Sequence, residues 1–256
     1  MSLQIIEWQD FIKQDVTFSA SAMTIGVFDG LHLGHKALIE RIVNRGPNPT
    51  VVTFRENPKK VVSPGTYKGD ILSLRQKLAV FEQMAVKQVI LIDFSLEFSK
   101  LSGGEFLDFL EDRGKMAFLA IGSNFRCGFK QDTDADFIAA MNERKKIPTD
   151  LVPQVTLPAE SGNEMVSSSR IRSAIILGNI RMAASLMGRN FELDLSDMKS
   201  QGQVYDTRPM NRIVPPPGQY QVVVNPGKIS SLAVIQDGKL ILAIEPGYRA
   251  LSLEFI

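Results

Sequence analysis

Two histidines, three positions apart, are the residues of this chain whose type and spacing best suit chemistry. His32 and His35 lie in a short stretch that also contains Asp29, Gly30 and Gly34, and the 256-residue sequence has no other histidine. Imidazole nitrogens donate hydrogen bonds to phosphate oxygens or ligate a metal ion. The pair therefore predicts either an anion site or one half of a metal site.

The segments on either side of the histidines predict a strand, a turn and a helix. Residues 22–28 form a short apolar run typical of a buried strand, and residues 36–43 have apolar positions at helical spacing. A strand that leads through a glycine turn into a helix directs backbone N–H groups and the positive end of the helix dipole at one point. This arrangement favours an anion such as phosphate. The alternatives are a joint that binds nothing and histidines that lie on the surface.

A metal site is the weaker interpretation, because a metal ion needs several ligands close together. Cys127 is the only cysteine and lies far from the histidines in the sequence. A single cysteine excludes an internal disulfide and is typical of a reducing compartment. We expect Cys127 to be a small core residue rather than a nucleophile.

Strands and helices alternate through the first part of the chain. This alternation predicts an α/β fold with a parallel sheet covered on both faces, whose ligands lie at the carboxyl ends of the strands. Ser102 and Glu105 have the spacing of a capping box at a helix start. The further predicted strands are residues 50–54, 88–93, 116–121 and 151–157, and a helix is predicted over residues 73–85.

The loop after the fourth predicted strand offers a mixed set of binding groups. Asn124 supplies an amide, Phe125 an aromatic ring and Arg126 a positive charge, between Gly122 and Gly128. The glycines allow the backbone to approach a ligand closely. An ordinary connection between two elements is the alternative interpretation.

Three serines and two arginines precede the next helical pattern. We expect Ser167 or Ser168 to cap the helix, but a cap needs one hydroxyl, and Ser169, Arg170 and Arg172 need another explanation. Arginine in a first turn opposes the helix dipole. An anion bound at the helix start would reconcile the cap with the arginines, so this segment is a second candidate phosphate site.

Four segments resemble motifs of one family. The string GVFDGLHLGH from Gly26 to His35 contains the H-x-G-H signature of nucleotidyltransferases and is similar to the version in bacterial FAD synthetases, the bifunctional riboflavin kinase/FMN adenylyltransferases. Residues 122–128 resemble the family's G-x-[Asp or Asn]-F-x-[Phe or Tyr]-G segment, with Cys127 replacing the aromatic. The other two are residues 167–172, similar to S-S-T-R-I-R with Ser169 replacing threonine, and residues 53–58, similar to T-F-x-P-x-P with Asn57 as a departure.

The resemblance implies that the chain makes FAD and pyrophosphate from FMN and ATP by direct in-line adenylyl transfer. His32, His35 and Arg172 would then be the catalytic residues. Magnesium is the implied cofactor, held mainly by substrate phosphates and by no metal-ligating residue of the chain. The other implied contacts are with ATP and its phosphates, from Gly26, Phe28, Asp29, Gly34, Ser168, Ser169 and Arg170, and with FMN, from Phe54, Asn57, Pro58, Asn124, Phe125 and Arg126. For Phe54, a core aromatic is the alternative interpretation.

The character of the sequence changes at Gly188 and Arg189, the pair that in the family opens the riboflavin kinase barrel. We expect residues 1–188 to form a Rossmann-like nucleotidyltransferase domain and residues 189–256 a small β-rich remnant of that barrel. Turns separate the β-like runs that support this division, which are residues 219–224, 231–235, 240–244 and 250–256.

The kinase part of the resemblance is incomplete. The family's G-x-P-T-A-N signature is replaced by the string DTRPMN from Asp206 to Asn211, in which only Pro209 and Asn211 correspond. The missing threonine would, in the family, hold magnesium and phosphates together with the asparagine. The catalytic glutamate that follows in the family has no convincing counterpart. We therefore expect no riboflavin kinase activity.

Composition narrows the classes of function. The formal net charge is +1, from 29 basic and 28 acidic residues, so a nucleic-acid partner is not expected. No apolar run approaches the ~18 residues of a membrane span, and charged residues interrupt residues 1–15, which is not typical of a signal peptide. We expect a cytoplasmic protein that acts on small molecules, and its oligomeric state is not indicated.

Three other functions stay open. The chain could be a nucleotidyltransferase for another acceptor, such as phosphopantetheine, nicotinate mononucleotide or a polyol phosphate. It could be a bifunctional enzyme with a diverged kinase site, or a flavin-binding or regulatory protein without activity. The string around His35 and the loop at Asn124 count against the first, and His32, Ser168 and Arg172 count against the third.

Overall fold

The computed structural model describes residues 2–13, 18–46, 48–159, 162–208, 210–245 and 247–256. The chain divides into two compact units. The first comprises Met1–Phe28, Gly34–Tyr67 and Leu78–Pro158, and the second comprises Asp29–Leu33, Lys68–Lys77 and Ala159–Ile256. The histidine stretch therefore contributes to both units. The predicted domains, residues 1–188 and 189–256, differ from these compact units, and the boundary after Gly188 stays a prediction.

Helices and strands alternate in the first half, and strands dominate the last quarter. The helices in the described residues are α1 (Trp8–Lys13), α2 (Leu33–Arg45), α3 (Lys59–Val62), α4 (Leu74–Gln83), α5 (Gly103–Asp112), α6 (Ala135–Arg144), α7 (Ser168–Ile176) and α8 (Ile180–Met187), with short 3-10 turns at Pro64–Thr66, Phe98–Lys100 and Phe129–Gln131. The strands are β1 (Gln4–Glu7), β2 (Ser21–Ile25), β3 (Pro49–Phe54), β4 (Gln88–Ile92), β5 (Met116–Gly122), β6 (Arg126–Cys127), β7 (Thr133–Asp134), β8 (Thr149–Val152), β9 (Thr156–Ala159), β10 (Gly162–Met165), β11 (Glu192–Asp194), β12 (Ser200–Gln201), β13 (Val204–Asp206), β14 (Gly218–Asn225), β15 (Ile229–Gln236), β16 (Lys239–Leu242) and β17 (Ser252–Phe255).

The first unit is built on a parallel sheet. Among the described residues this sheet has the strand order β1-β4-β3-β2-β5-β8, and every neighbouring pair is parallel. Strand β2 is buried at each position and β4 at all but the first, as expected for strands covered on both faces. Because β3 and β4 lie on one side of β2, and β5 and β8 on the other, the strand order reverses at β2 and β5. Ligands of open α/β sheets bind at such a switch point.

The core of the first unit packs aromatic rings against the sheet. The Trp8 ring lies 5.3 Å from Phe11, 5.4 Å from Phe98 and 5.8 Å from Phe106 between ring centroids, and all but Phe98 are buried in a cluster with strand side chains such as Met23. Such aromatic pairs contribute about 0.5–1.5 kcal/mol each beyond their buried area. This packing anchors α1 and α5 on one face of the sheet.

The capping box at the start of α5 is confirmed. The Ser102 hydroxyl accepts the Glu105 N–H at 3.2 Å, and the Glu105 carboxylate accepts the Ser102 N–H at 2.9 Å. The two reciprocal bonds satisfy donors that a helix start leaves unpaired.

The strand predicted over residues 151–157 is wrong in its extent. The structure places β8 at Thr149–Val152, where it pairs with β5, and a separate strand begins at Thr156. Pro153 ends β8 because proline has no N–H to donate to a sheet ladder. Strand β1 was not predicted, since only one of its four residues is buried and it has no apolar run.

The second unit contains an antiparallel sheet in the order β11-β17-β14-β15-β16-β13-β12 within the described residues. Its four longest strands, β14 to β17, match the predicted β-like runs, and their pairings are antiparallel. The sheet is curled into a half-barrel. The expected fold class, a parallel α/β sheet followed by a β-rich barrel remnant, is therefore confirmed.

Two adjacent glycines at the start of α5 allow a test of how closely this helix packs against Thr133. A Cβ at Gly103 would lie 2.2 Å from Thr133 Oγ1, whereas a Cβ at Gly104 meets no described atom within 4 Å. We expect Gly103→Ala to lower the free energy of unfolding by roughly 1–3 kcal/mol through overpacking. Gly104→Ala should raise it by up to ~1 kcal/mol, because alanine is the better helix former. Urea denaturation measures both, and equal stability of the two variants would contradict the packing.

Candidate functional site

The turn that leads from β2 to α2, residues 26–32, has an unusual backbone and is called the histidine turn below. Phe28, Gly30 and Leu31 have φ angles of 53°, 80° and 41°, in the left-handed region that non-glycine residues rarely adopt. At Gly30 a side chain would also be crowded, because a Cβ there would lie 3.0 Å from Ile71 Cδ1. The turn therefore needs contacts from elsewhere to keep its conformation.

In the first unit, Phe28 supports the ring of His35. Their ring centroids lie 5.0 Å apart at 60°, and the fully buried Phe28 also packs edge-on against Phe81 at 5.6 Å. Gly26 leaves room for this ring, because a Cβ at Gly26 would lie 3.2 Å from Phe28 Cε2. Gly34 and His35 are the second and third residues of α2. The histidine is thus held at a helix N-terminus by aromatic packing.

In the second unit, Asp29 accepts bonds from several parts of the chain. Its buried carboxylate accepts the Ile71 N–H at 2.8 Å and forms an ion pair with the Arg172 guanidinium. The Ser168 hydroxyl donates to the Asp29 carbonyl at 2.7 Å, and Arg172 Nε donates to the Gly69 carbonyl at 3.1 Å. The structure therefore brings Asp29, Ser168 and Arg172 together.

The serine and arginine segment caps α7 and carries two ion pairs. Ser167 is the N-cap, and its hydroxyl accepts the Arg170 N–H at 3.3 Å, which confirms one of the two predicted caps. Arg170 pairs with Glu164, and Ser169 is exposed. A bound anion is thus not required to explain the arginines, because carboxylates of the chain already balance both of them. The interaction of Ser168, Ser169, Arg170 and Arg172 with phosphate stays a prediction.

His32 is almost completely buried in the second unit, with 8% of its surface exposed. Burial, and then the positive charge of Arg189, lower the pKa of His32 from 6.5 to about 4. The imidazole is therefore neutral at pH 7, with one N–H donor and one acceptor nitrogen. As a neutral group it can donate one hydrogen bond to an oxyanion.

Two basic residues near this turn were not predicted from the sequence. Arg189 donates to the Gly30 and Leu31 carbonyls, both at 2.8 Å. Lys77 is buried, and burial lowers its pKa, while the charges of Asp29 and Asp70 act in the opposite direction. Neither residue belongs to a local pattern that marks a site, and only the Gly-Arg pair at 188–189 was noticed, as a domain boundary.

The predicted flavin-side residues lie in the first unit and have structural contacts there. The Phe54 ring packs against the core cluster, with Phe94 at 5.8 Å and Phe98 at 6.1 Å. The side chain of the buried Asn57 accepts the Lys59 N–H at 3.1 Å, where Pro58 is the N-cap of α3. Phe54 is thus half-buried against the core, and contact of Phe54, Asn57 or Pro58 with FMN stays a prediction.

The loop after β5 presents polar groups outward and packs its aromatic ring inward. Asn124 and Arg126 are exposed, whereas Phe125 packs against the core cluster of the first unit. Cys127 is half-buried, and burial followed by the charge of Asp132 raises the pKa of its thiol to about 12. A raised pKa disfavours the reactive thiolate form.

Gly128 turns this loop back on itself. Its φ is 82°, and a Cβ would lie 2.1 Å from Asp132 Oδ1 and 2.2 Å from the Gly103 nitrogen. Glycine is therefore required at this position, and the loop closes as a hairpin in which β6 pairs with β7.

Metal ligands are sparse in the described part of the chain. No group of three or more histidine, cysteine, aspartate and glutamate residues there is arranged to hold a metal ion. Asp29, the carboxylate of the histidine turn, pairs with Arg172 and accepts the Ile71 N–H.

The titration of His32 generates a stability prediction. The unfolded chain binds a proton at His32 near pH 6.5, whereas the folded chain binds it only near pH 4, so protonation favours unfolding. The free energy of unfolding should be highest above pH 6.5 and should decrease toward pH 4. The total decrease should be about 1.4 kcal/mol for each unit by which the folded and unfolded pKa values differ. Urea denaturation across this range should show a shallower decrease for His32→Asn than for the parent protein. An equal dependence of the free energy of unfolding on pH in the parent and in His32→Asn would contradict the lowered pKa of His32.

Comparison with known proteins shows which family the chain is similar to. Residues 15–170 match the family model for FAD synthetase. Similar proteins are the bifunctional riboflavin kinase/FMN adenylyltransferases of Buchnera aphidicola, 27% identical over 180 residues, and Pseudomonas fluorescens, 30% identical over 175. These alignments cover 68% and 66% of this chain but 56% and 55% of the relatives, so the chain spans little more than half of their length.

A solved structure has the same fold along nearly the whole chain. The crystal structure of the macrolide-efflux protein from Streptococcus pneumoniae superposes with a TM-score of 0.79 at 20% identity, over 99% of this chain and 89% of that one. At this identity the likeness concerns the fold alone. In the described residues, no helix combines the length and apolar character needed to cross a bilayer. Because the family model matches more than half of its length, the chain belongs to the FAD synthetase family.

Proposed function

We propose that this chain is an FMN adenylyltransferase, which forms FAD and pyrophosphate from ATP and FMN. The observation that carries the proposal is the string from Gly26 to His35, which lies inside the segment matched by the FAD synthetase model and forms a strand, a turn and a helix start. The names of the relatives, which include FMN adenylyltransferase, support the same activity. A cytoplasmic location remains a prediction from the sequence.

The proposed reaction needs no covalent intermediate. A phosphate oxygen of FMN attacks the α-phosphorus of ATP, and the bond from that phosphorus to the oxygen bridging the β-phosphate breaks. Both electrons of that bond leave with pyrophosphate, which carries the developing negative charge. Catalysis then depends on positioning and on charge stabilisation rather than on a nucleophilic side chain. The protonated Cys127 thiol agrees with this requirement.

The two histidines would act as hydrogen-bond donors to the phosphates. A neutral His32 offers one N–H, and its low pKa keeps it neutral across the physiological range. His35 stands in the first turn of α2, where backbone N–H groups and the helix dipole also favour negative charge. Gly26, Phe28 and Gly34 would contact ATP and its phosphates, and Phe28 would also hold the His35 ring.

Arg172 and Ser168 would hold the leaving phosphates. A guanidinium has five N–H donors, and within the described residues Arg172 directs Nε to Gly69 and Nη2 to Asp29. The remaining donors can bind phosphate oxygens while Asp29 fixes the guanidinium. Ser169 and Arg170 would add a hydroxyl and a charge at the start of α7.

FMN would lie toward residues carried by the first unit. The proposed contacts are with Asn124, Phe125 and Arg126 after β5, and with Phe54, Asn57 and Pro58 after β3. Asn124 and Arg126 are exposed, so their amide and guanidinium are accessible to a ligand. Magnesium, when bound to the ATP phosphates, would supply positive charge for the leaving group, and no residue of the chain is proposed as its ligand.

A second activity, riboflavin phosphorylation, is not proposed. Where the kinase signature belongs, Asp206 accepts three bonds from Arg208, from Nε at 2.8 Å, from Nη2 at 2.6 Å and from the backbone N–H at 3.1 Å. That carboxylate is therefore occupied by a neighbouring guanidinium. Asn211 uses its carbonyl to accept the Asp70 N–H at 2.8 Å, and Pro209 lies outside the described residues.

A chromatographic assay tests the proposed function. Purified protein is incubated with ATP and magnesium, in parallel with FMN and with riboflavin. We expect FAD from FMN and no FMN or FAD from riboflavin. Product from riboflavin would show that a kinase site survives, and product from neither substrate would contradict adenylyl transfer to FMN.

Removal of one imidazole tests the mechanism. His35→Ala should lower kcat by roughly 100-fold or more, the scale seen when one preorganised donor to a developing charge is lost. Asn44→Ala, at an exposed position on the same helix, serves as the matched control and should keep the parent kcat. A parent-like kcat for His35→Ala would remove this histidine from the mechanism.

A further inference from the structure

Arg189 connects the segment after α8 with the histidine turn in the second unit. Its Nη1 donates to the Leu31 carbonyl and its Nη2 to the Gly30 carbonyl, both at 2.8 Å. One planar guanidinium therefore binds two successive carbonyls directly before His32. Both carbonyls belong to residues with left-handed backbone, φ 80° and 41°. The two bonds together restrain this left-handed part of the turn, in which Leu31 is the residue with a side chain.

The chain holds the Arg189 backbone firmly on both sides. Helix α8 ends at Gly188, whose φ of 62° is a left-handed C-cap, and the Arg189 N–H donates to the Ala184 carbonyl at 3.3 Å. On the other side, the fully buried Phe191 packs against Phe255 with ring centroids 5.3 Å apart. The side chain thus starts from a fixed point, as a positioning group must.

The chemistry of this contact requires arginine. A guanidinium presents a rigid planar fork of donors, whereas a lysine ammonium is a point charge on a flexible stem. Burial lowers the pKa of Arg189, and the nearby Glu192 acts in the opposite direction. A charge withdrawn from water in this way is tolerated only when strong hydrogen bonds replace the lost hydration. The Gly30 and Leu31 carbonyls provide them.

The charge of Arg189 also acts on His32. Charged side chains in this part of the described chain include Asp29, Asp70, Lys77 and Arg172, of which Asp29 and Arg172 pair with each other, and Glu192 acts on Arg189. Arg189 is the charge that adds to burial in disfavouring the imidazolium form of His32. Arg189 thus influences both the backbone that leads into His32 and the protonation of its ring.

We propose that Arg189 is a positioning residue for adenylyl transfer, which fixes the Gly30-Leu31 turn and so presents His32 to the phosphates. The inference rests on the proposed function and extends it, because Arg189 lies beyond the segment that the FAD synthetase model matches. A residue directly after Gly188 would then contribute to the adenylyltransferase site.

The first test compares Arg189→Ala, Arg189→Lys and the control Arg181→Ala, which removes an exposed arginine from α8. We expect Arg189→Ala to lower kcat at least ten-fold with a smaller change in the KM for ATP, and Arg181→Ala to keep parent values. Arg189→Lys should recover little, because one ammonium cannot span both carbonyls. Millimolar guanidinium ion should partly restore Arg189→Ala but leave His35→Ala unchanged.

A parent-like kcat in folded Arg189→Ala would overturn the proposal. If that variant does not fold, Arg189→Lys takes its place, and a parent-like kcat there would overturn it equally. Absence of FAD from the parent protein would instead be the failure of the proposed function.

A second measurement is independent of activity. The chain has two histidines, so a ¹⁵N-edited NMR titration resolves both imidazoles, with His35→Asn assigning the signals. In Arg189→Ala the His32 signals should move and its pKa should rise from about 4 toward 6.5. The same signals should be unchanged in Arg181→Ala. Unchanged His32 signals in Arg189→Ala would overturn the positioning role.

Discussion

The second unit depends on hydrogen bonds that hold the backbone of the histidine turn in an unfavourable conformation. Gly30 and Leu31 are both left-handed, and their carbonyls accept from Arg189, while the Asp29 carboxylate accepts the Ile71 N–H. Left-handed backbone costs of order 1–2 kcal/mol for a residue with a side chain. The position of His32 is therefore decided by bonds from distant parts of the chain rather than by the preference of the turn itself.

Asp29 and Arg172 neutralise each other's charge near this turn by forming an ion pair. Asp29 is buried and Arg172 half-buried, so removal of either partner would leave a charge in a poorly hydrated environment, at a cost of about 3–5 kcal/mol. The same pair holds the guanidinium in one orientation, together with the bond from Nε to the Gly69 carbonyl. In the proposed reaction, this arrangement lets Arg172 meet phosphate without first giving up conformational freedom.

Asp194 secures the segment that carries Ile71. The Asp194 carboxylate accepts bonds from the Ser73 hydroxyl, from Arg75 at 2.8 Å and 3.1 Å, and from Ser196. Burial alone would raise the pKa of Asp194, but these hydrogen bonds more than offset it and lower the pKa to about 2. Strand β11 is thereby tied to residues 68–77. The antiparallel sheet thus supports the backbone that reaches Asp29.

The sequence by itself determined the strands with continuous apolar runs, the capping box at Ser102 and the family, because each is encoded within a few neighbouring residues. It did not reveal that the strand predicted over residues 151–157 is interrupted at Pro153. Only the tertiary structure decided that Arg189 bonds the carbonyl of Gly30 and that Arg172 pairs with Asp29, across separations of 159 and 143 positions. A local pattern shows that an arginine is present but not which distant group it will meet. That choice is made when the folded backbone brings the two together and burial makes an unpaired charge too costly.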